Sequence, residues 1–207
     1  MKQRNLRSEN KKNSNLKLIS STIKNLSKKG INDLTMQDVS QGAGLSRGIV
    51  NFHFKSKELL LIETLKFISN EYLHSFQKSI KDAGTDPRKK IIKIIENDFS
   101  KKICTREKIS VWFTFFSEIK FKPAYYQICK ERDLYYQSLT EDIFADLIKT
   151  ENIKLSKINI ARGFQALIMG LWLDQLEDPD TFNRIQAKKI CFEFIKSNFP
   201  KQFKRIL

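Results

Sequence analysis

Apolar side chains recur every three or four residues along most of this chain, the spacing that gathers them on one face of a helix. Leu16, Ile19, Ile23 and Leu26 form the first such stripe, and Gly30 follows as a stop. The fifteen residues before it, MKQRNLRSENKKNSN, are polar and basic without periodicity and predict a mobile arm. Thr35 suits the N-cap of a short helix with Val39 and Ala43 facing inward, and Gly44 suits the left-handed turn that ends it. Ser46 then caps SRGIVNFHF, whose Ile49, Val50 and Phe54 turn toward the first two helices.

Beyond Lys55-Ser56-Lys57 the pattern lengthens. One amphipathic segment runs to about Lys81 with Leu60, Thr64, Phe67, Ile68 and Phe76 on its apolar side. GTDPRKK breaks it, Asp86 serving as N-cap and Pro87 as first helical residue, and the next helix carries Ile91, Ile94, Ile95, Asp98 and Phe99. Further helices are predicted from Arg106 to Lys120, Pro123 to about Lys149, Ser156 to Leu176 and Pro179 to about Ser197. Seven glycines and four prolines in 207 residues leave little material for a turn-rich β architecture. The expected fold is all-α with about nine helices, and the expected division is residues 1–57 and 58–207.

Charge adds a direction. The formal net charge is +15, and residues 1–57 hold 12 Lys/Arg against 3 Asp/Glu. A basic segment favours a polyanion such as nucleic acid or an anionic membrane surface; the plainer alternative is a Lys-rich solvated surface. Cys104, Cys129 and Cys191 are odd in number, widely spaced and without a C-x-x-C pattern, as expected of reduced cytoplasmic thiols. No apolar run approaches the roughly 18 to 20 residues of a membrane helix, so no membrane partner is expected. His53 and His74 share no short spacing with a cysteine, so neither a metal nor another cofactor is expected.

Gly44-Leu45-Ser46-Arg47-Gly48 fits the G-x-S-x-G pattern of a hydrolase nucleophile elbow. An elbow needs a buried strand before the serine, and both flanks here have helical spacing. The competing reading is a helix-turn-helix: a braced short helix, a glycine turn, and a second helix that enters the major groove. That helix offers Ser46, Arg47, Gly48, Asn51 and His53, with Thr35 and Lys57 flanking. Arg suits a guanine edge or a phosphate, Asn an adenine edge, and Gly lets the backbone approach DNA. A plain three-helix bundle end with solvated polar residues is the other structural reading.

LTMQDVSQGAGLSRGIVNFHFKSKELL resembles the N-terminal signature of the TetR family of bacterial transcriptional regulators, through Thr35, Ala43, Gly44, Leu45, Ser46, Phe54 and Lys57. Asn51 and His53 stand where relatives often have tyrosines. Further on, VWFTFF, KPAYYQICKERDLYYQSL and ARGFQALIMGLWLDQL resemble BetI-type repressors of choline and glycine-betaine metabolism, with Phe116 where a second Trp is usual. The resemblance implies a homodimeric repressor that is not an enzyme, bound to double-stranded operator DNA and released by a small-molecule effector. It also implies a dimer interface on the last two helices, where Ala166 and Gly170 allow close approach.

For the effector, the resemblance implies choline or a related quaternary ammonium. Such ions are held by aromatic faces, often with a carboxylate. Candidates are Trp112, Phe115, Phe116, Tyr125, Tyr135 and Trp172, with Tyr126 and Tyr136 also available, and Asp98 as counter-charge. Asp98 falls seven residues after Ile91 on an apolar stripe, where an acid should be paired or face a cavity. Each aromatic is equally compatible with core packing, and Asp98 with a helix-edge ion pair. The function classes left open are a TetR-type regulator sensing another hydrophobic or cationic molecule, a small serine hydrolase using Ser46, and a non-specific basic DNA-coating protein.

Overall fold

The computed structural model describes residues 2–204, with side chains from residue 8 onward. Among these the chain is all-α, with nine helices: α1 Lys2–Asp33, α2 Met36–Ala43, α3 Arg47–His53, α4 Lys57–Ala83, α5 Pro87–Asp98, α6 Arg106–Glu118, α7 Pro123–Glu151, α8 Lys157–Glu177 and α9 Arg184–Asn198. By packing it falls into two compact units, residues 1–70 with 110–128, and residues 71–109 with 129–207.

Two expectations need correction. The opening segment is helix, continuous with α1, rather than a mobile arm. No Gly or Pro occurs before Gly30, and Lys, Gln, Arg and Glu are good helix formers, so polarity there does not mark a lack of structure. The side chains of Lys2, Arg4 and Arg7 lie outside the described residues. Gly30 breaks α1 at φ 74°, as its stop role requires. The last helix begins at Arg184, not at Pro179. Asn183 caps it by accepting from the backbone N–H of both Ile185 and Gln186, while Thr181 donates to Asp178 within the preceding turn.

In the first unit, Leu18, Leu26, Val39, Val50, Leu60 and Leu65 are fully or almost fully buried. Each such burial stabilises by roughly 1.5–3 kcal/mol. Gly42, rather than Ala43, permits the close approach of α2 to α1: a Cβ there would lie 2.4 Å from Ser21 Oγ. The Ser21 hydroxyl donates to the Val39 carbonyl at 2.9 Å across the same contact. In the second unit Ile91, Ile94 and Ile95 carry α5 into the core. Phe144 meets Phe164 edge-on at 5.6 Å and stacks on Phe199 at 5.9 Å.

Candidate functional site

The end of the first unit is built from caps. Thr35 begins α2 in a reciprocal capping box: the Asp38 N–H donates to Thr35 Oγ1 at 3.1 Å, and the Thr35 N–H donates to Asp38 Oδ2 at 3.0 Å. Lys29, 2.6 Å from Asp38, is the main reason the Asp38 carboxyl falls to about 2. Gly44 closes α2 in the left-handed region, φ 63°. Ser46 then caps α3, its Oγ accepting from the Ile49 N–H at 3.4 Å.

α3 buries Val50 and presents Arg47, Gly48 and Asn51 to solvent. Its far end is held by α1: Ser14 Oγ lies 2.7 Å from His53 Nε2, and the Lys11 ammonium sits 5.4 Å from the Phe52 ring centre. Phe52 is 65 % exposed apart from that cover. Burial first, and the Lys11 charge second, lower the His53 pKa, which favours the neutral ring at neutral pH. Lys57 donates to the Asn32 carbonyl at 3.0 Å.

In the second unit the last residue of α5 is Asp98, 0 % exposed. Tyr72 from α4 donates to its Oδ1 at 2.9 Å, and the Asn97 amide donates to the same oxygen at 3.1 Å. The Trp172 indole from α8 donates to the Asp98 backbone carbonyl at 3.0 Å, satisfying one of the acceptors a helix end leaves open. The Tyr136 hydroxyl from α7 is turned to the same carboxylate. Yet Oδ2 has no hydrogen-bond partner. Burial dominates over the tyrosines and Asn97 and pushes the Asp98 carboxyl up to about 7.

The rings around this carboxylate contact one another. Tyr72 meets Trp172 edge-on at 6.2 Å and stacks on Phe76 at 6.2 Å, and Phe76 lies 4.9 Å from Tyr136. Tyr135 rests edge-on against Phe76 and is partly exposed. Tyr72 and Tyr136 turn their hydroxyls toward the carboxylate and Trp172 its indole N–H toward the backbone carbonyl, so Asp98 is a buried acid set among aromatic rings, a combination suited to a small organic cation.

The outer face of α8 is open. A Cβ on Gly170 would meet nothing, and Ala166 is exposed. At Gly163 a Cβ would instead lie 3.6 Å from the Phe194 ring of α9. Ile158 and Leu173 on α8, and Ile190 and the 79 %-exposed Ile185 on α9, leave apolar surface on the same two helices.

Residues 18–64 match the pattern described as bacterial regulatory proteins of the TetR family, and residues 87–200 match the C-terminal domain of BetI-type transcriptional repressors. The second match alone spans more than half of the chain. The chain belongs to the TetR family. It is a BetI-type transcriptional repressor. The HTH-type transcriptional regulator BetI of Stenotrophomonas maltophilia is 28% identical over 178 residues, covering 86% of this chain and 89% of that protein. A solved transcriptional regulator of Pseudomonas aeruginosa superposes with a TM-score of 0.76 at 21% identity, over 93% of both chains. One from Saccharomonospora viridis, solved in complex with choline, superposes with a TM-score of 0.73 at 17% identity, over 89% of this chain and 96% of that one.

In this TetR-family chain the sequence-predicted residues divide between the units. Asp98 and Trp172 are brought together in the second, with Tyr135 nearby against Phe76. Trp112, Phe115, Phe116 and Tyr125 cluster within the first, where Trp112 stacks on Phe116 at 5.8 Å and Phe115 meets Tyr125 edge-on at 5.1 Å. Sequence reasoning missed Tyr72 and Asn97. Tyr72 had a signal: it sits four residues after Ile68 and four before Phe76, on the same stripe.

Proposed function

We propose that this repressor is a cytoplasmic homodimer whose paired α3 helices hold double-stranded operator DNA, and that a small quaternary ammonium, choline first, releases it. Residues 1–57 are the DNA-binding domain and residues 58–207 the effector-binding and dimerisation domain. Arg47 and Asn51 read base edges. Gly48 lets the α3 backbone approach, and Thr35, Ser46, His53 and Lys57 set the helix and its phosphate contacts. Ala166 and Gly170 lie at the centre of the dimer face.

The observation that carries the effector reading is the buried Asp98 carboxylate ringed by Tyr72, Tyr136 and Trp172. Aromatic faces supply attraction for the methylated ammonium and the carboxylate supplies the opposing charge. The choline complex of the Saccharomonospora viridis protein, a relative in fold, supports the same class. The effector acts only as far as it binds the released state more tightly than the operator-bound one. The regulator reading also accounts for Ser46, whose oxygen accepts a helix-cap bond, and for His53, which faces Ser14 of α1.

The test is a DNA-shift assay on the promoter beside the gene for this chain, titrated with choline, betaine aldehyde and glycine betaine. Release by at least one of these supports the reading. Stable complexes at millimolar concentrations of all three overturn it. Sedimentation of Gly170→Glu separately tests the dimer face, with monomers expected.

A further inference from the structure

Asp98 poses a chemical problem that an aromatic cage alone does not solve. A fully buried carboxylate is costly unless its charge is matched and its oxygens are hydrogen-bonded. Here Oδ1 takes two donors, from Tyr72 and Asn97, while Oδ2 makes no well-formed hydrogen bond although the Tyr136 hydroxyl is turned to the carboxylate. The group also ends α5, where the helix dipole disfavours negative charge.

The charged and titratable groups that face it do not solve the problem. Tyr72 comes from α4, Tyr136 from α7 and Cys191 from α9, with Cys104 from the segment after α5. All four are held in their neutral forms by burial first, with Asp98 itself adding to the effect. Arg132 on α7 lies close enough to act on Tyr72, but its guanidinium is engaged by Asp133, from Nε at 2.8 Å. Trp172 from α8 is committed to the backbone carbonyl.

We propose that the effector is a small cation carrying its own hydrogen-bond donor, that this donor is placed on Asp98 Oδ2, and that the cation enters in exchange for a proton held by that carboxyl. The inference rests on the cationic-effector reading and goes beyond it. Without ligand, a proton on Asp98 removes the uncompensated charge, and the carboxyl pKa of about 7 places that exchange within the physiological range. When the cation binds, the proton leaves to solvent, the carboxylate becomes the counter-ion, and the ligand O–H or N–H occupies the open acceptor. No covalent bond of the ligand changes. A quaternary ion without a donor meets only the charge requirement, and a neutral alcohol meets only the hydrogen bond. Choline, with a hydroxyl two carbons from its ammonium, meets both. Glycine betaine brings a second carboxylate and no donor.

Calorimetry on the intact protein tests this with four probes: choline, choline methyl ether, 3,3-dimethylbutan-1-ol and ethanolamine. Titrations run at pH 6 and pH 8.5, each in two buffers of different ionisation enthalpy. Choline is expected to bind at least about tenfold more tightly than its methyl ether and than the neutral alcohol. It should release most of a proton per ligand at pH 6 and far less at pH 8.5, with affinity falling up to about tenfold per pH unit as pH drops through the range in which the carboxyl takes up its proton. Asp98→Asn should bind choline weakly and with no pH dependence, while retaining the wild-type helical signal. Equal affinity for choline and its ether, with no proton release at pH 6, overturns the inference and leaves the quaternary-ammonium reading standing. Binding of ethanolamine with proton release, but not of choline, overturns that reading and supports this one. Failure of every cationic probe overturns both.

Discussion

The helix-turn-helix and the Asp98 cage satisfy their polar groups in opposite ways. At α2 and α3 the cap oxygens find partners within three residues: Thr35 with Asp38, Ser46 with Ile49. At Asp98 one donor is the adjacent Asn97, but Tyr72 of α4 and Trp172 of α8 lie 26 and 74 residues away along the chain, Tyr136 of α7 turns its hydroxyl to the carboxylate, and Oδ2 makes no well-formed hydrogen bond. The first arrangement fixes a surface, so that Arg47 and Asn51 project from a helix whose position is already determined. The second leaves a need that something outside the chain can meet. A repressor requires both, a rigid reader and a site whose free energy changes with its occupant.

The largest expected effect separates the two. Arg47→Ala combined with Asn51→Ala should cut operator affinity by about a hundredfold or more, since each base-edge contact is worth about 1–3 kcal/mol. Non-specific DNA binding and choline binding should be unchanged, as read by fluorescence anisotropy and calorimetry. Loss of choline binding in this variant would mean that the reader and the cage are not separable.

The cage should declare itself next in the pH dependence of stability. The Asp98 carboxyl is raised from 3.8 to about 7, so between these values the folded protein holds a proton that the unfolded chain gives up. Stability therefore falls as pH rises through that window and levels off above it. Asp98→Asn lacks this fall. It should gain about 2–4 kcal/mol over the wild type at pH 8, with the gap closing toward pH 4, in denaturant melts. A gap independent of pH would contradict a protonated Asp98.

Two tryptophans sharpen the contrast between a site and ordinary packing. Trp172→Leu removes both the ring beside Tyr72 and the hydrogen bond to the Asp98 carbonyl. It should lower choline affinity about tenfold or more, whereas Trp112→Leu, which removes the stacking on Phe116 within the first unit, should act mainly on stability. Equal loss of choline affinity in both would extend the site to the first unit.

The smallest effects lie in the reader's scaffold. Gly42→Ala forces a Cβ against Ser21 Oγ and should cost about 1–2 kcal/mol, partly restored by Ser21→Ala. Ser46→Ala should cost about 1 kcal/mol through the lost cap, with operator binding weakened in proportion. Thermal melts of the three variants check both.

The same contrast explains what could be read from sequence. Thr35, Gly44, Ser46 and Asp86 were legible as caps because their chemistry is local, and each caps its helix in the structure. Pro179 misled because a proline suits a helix start, while Asn183, four residues on, makes the bonds that begin α9. The opening segment misled because it carries no apolar period, although nothing in it breaks a helix. At the cage, Asp98 stood out as an acid on an apolar stripe. The sequence could not say which of many aromatics would surround it, because Tyr72, Tyr136 and Trp172 meet only once helices far apart in the chain are packed.

The most direct test of the account is release from operator by the wild type and by Asp98→Asn, measured by anisotropy across a choline titration at pH 8. Without choline the two proteins should bind operator with equal affinity. Choline should then release the wild type and leave the variant bound at concentrations tenfold higher or more. Release of both at the same choline concentration would contradict it, because the carboxylate would then carry no part of the signal.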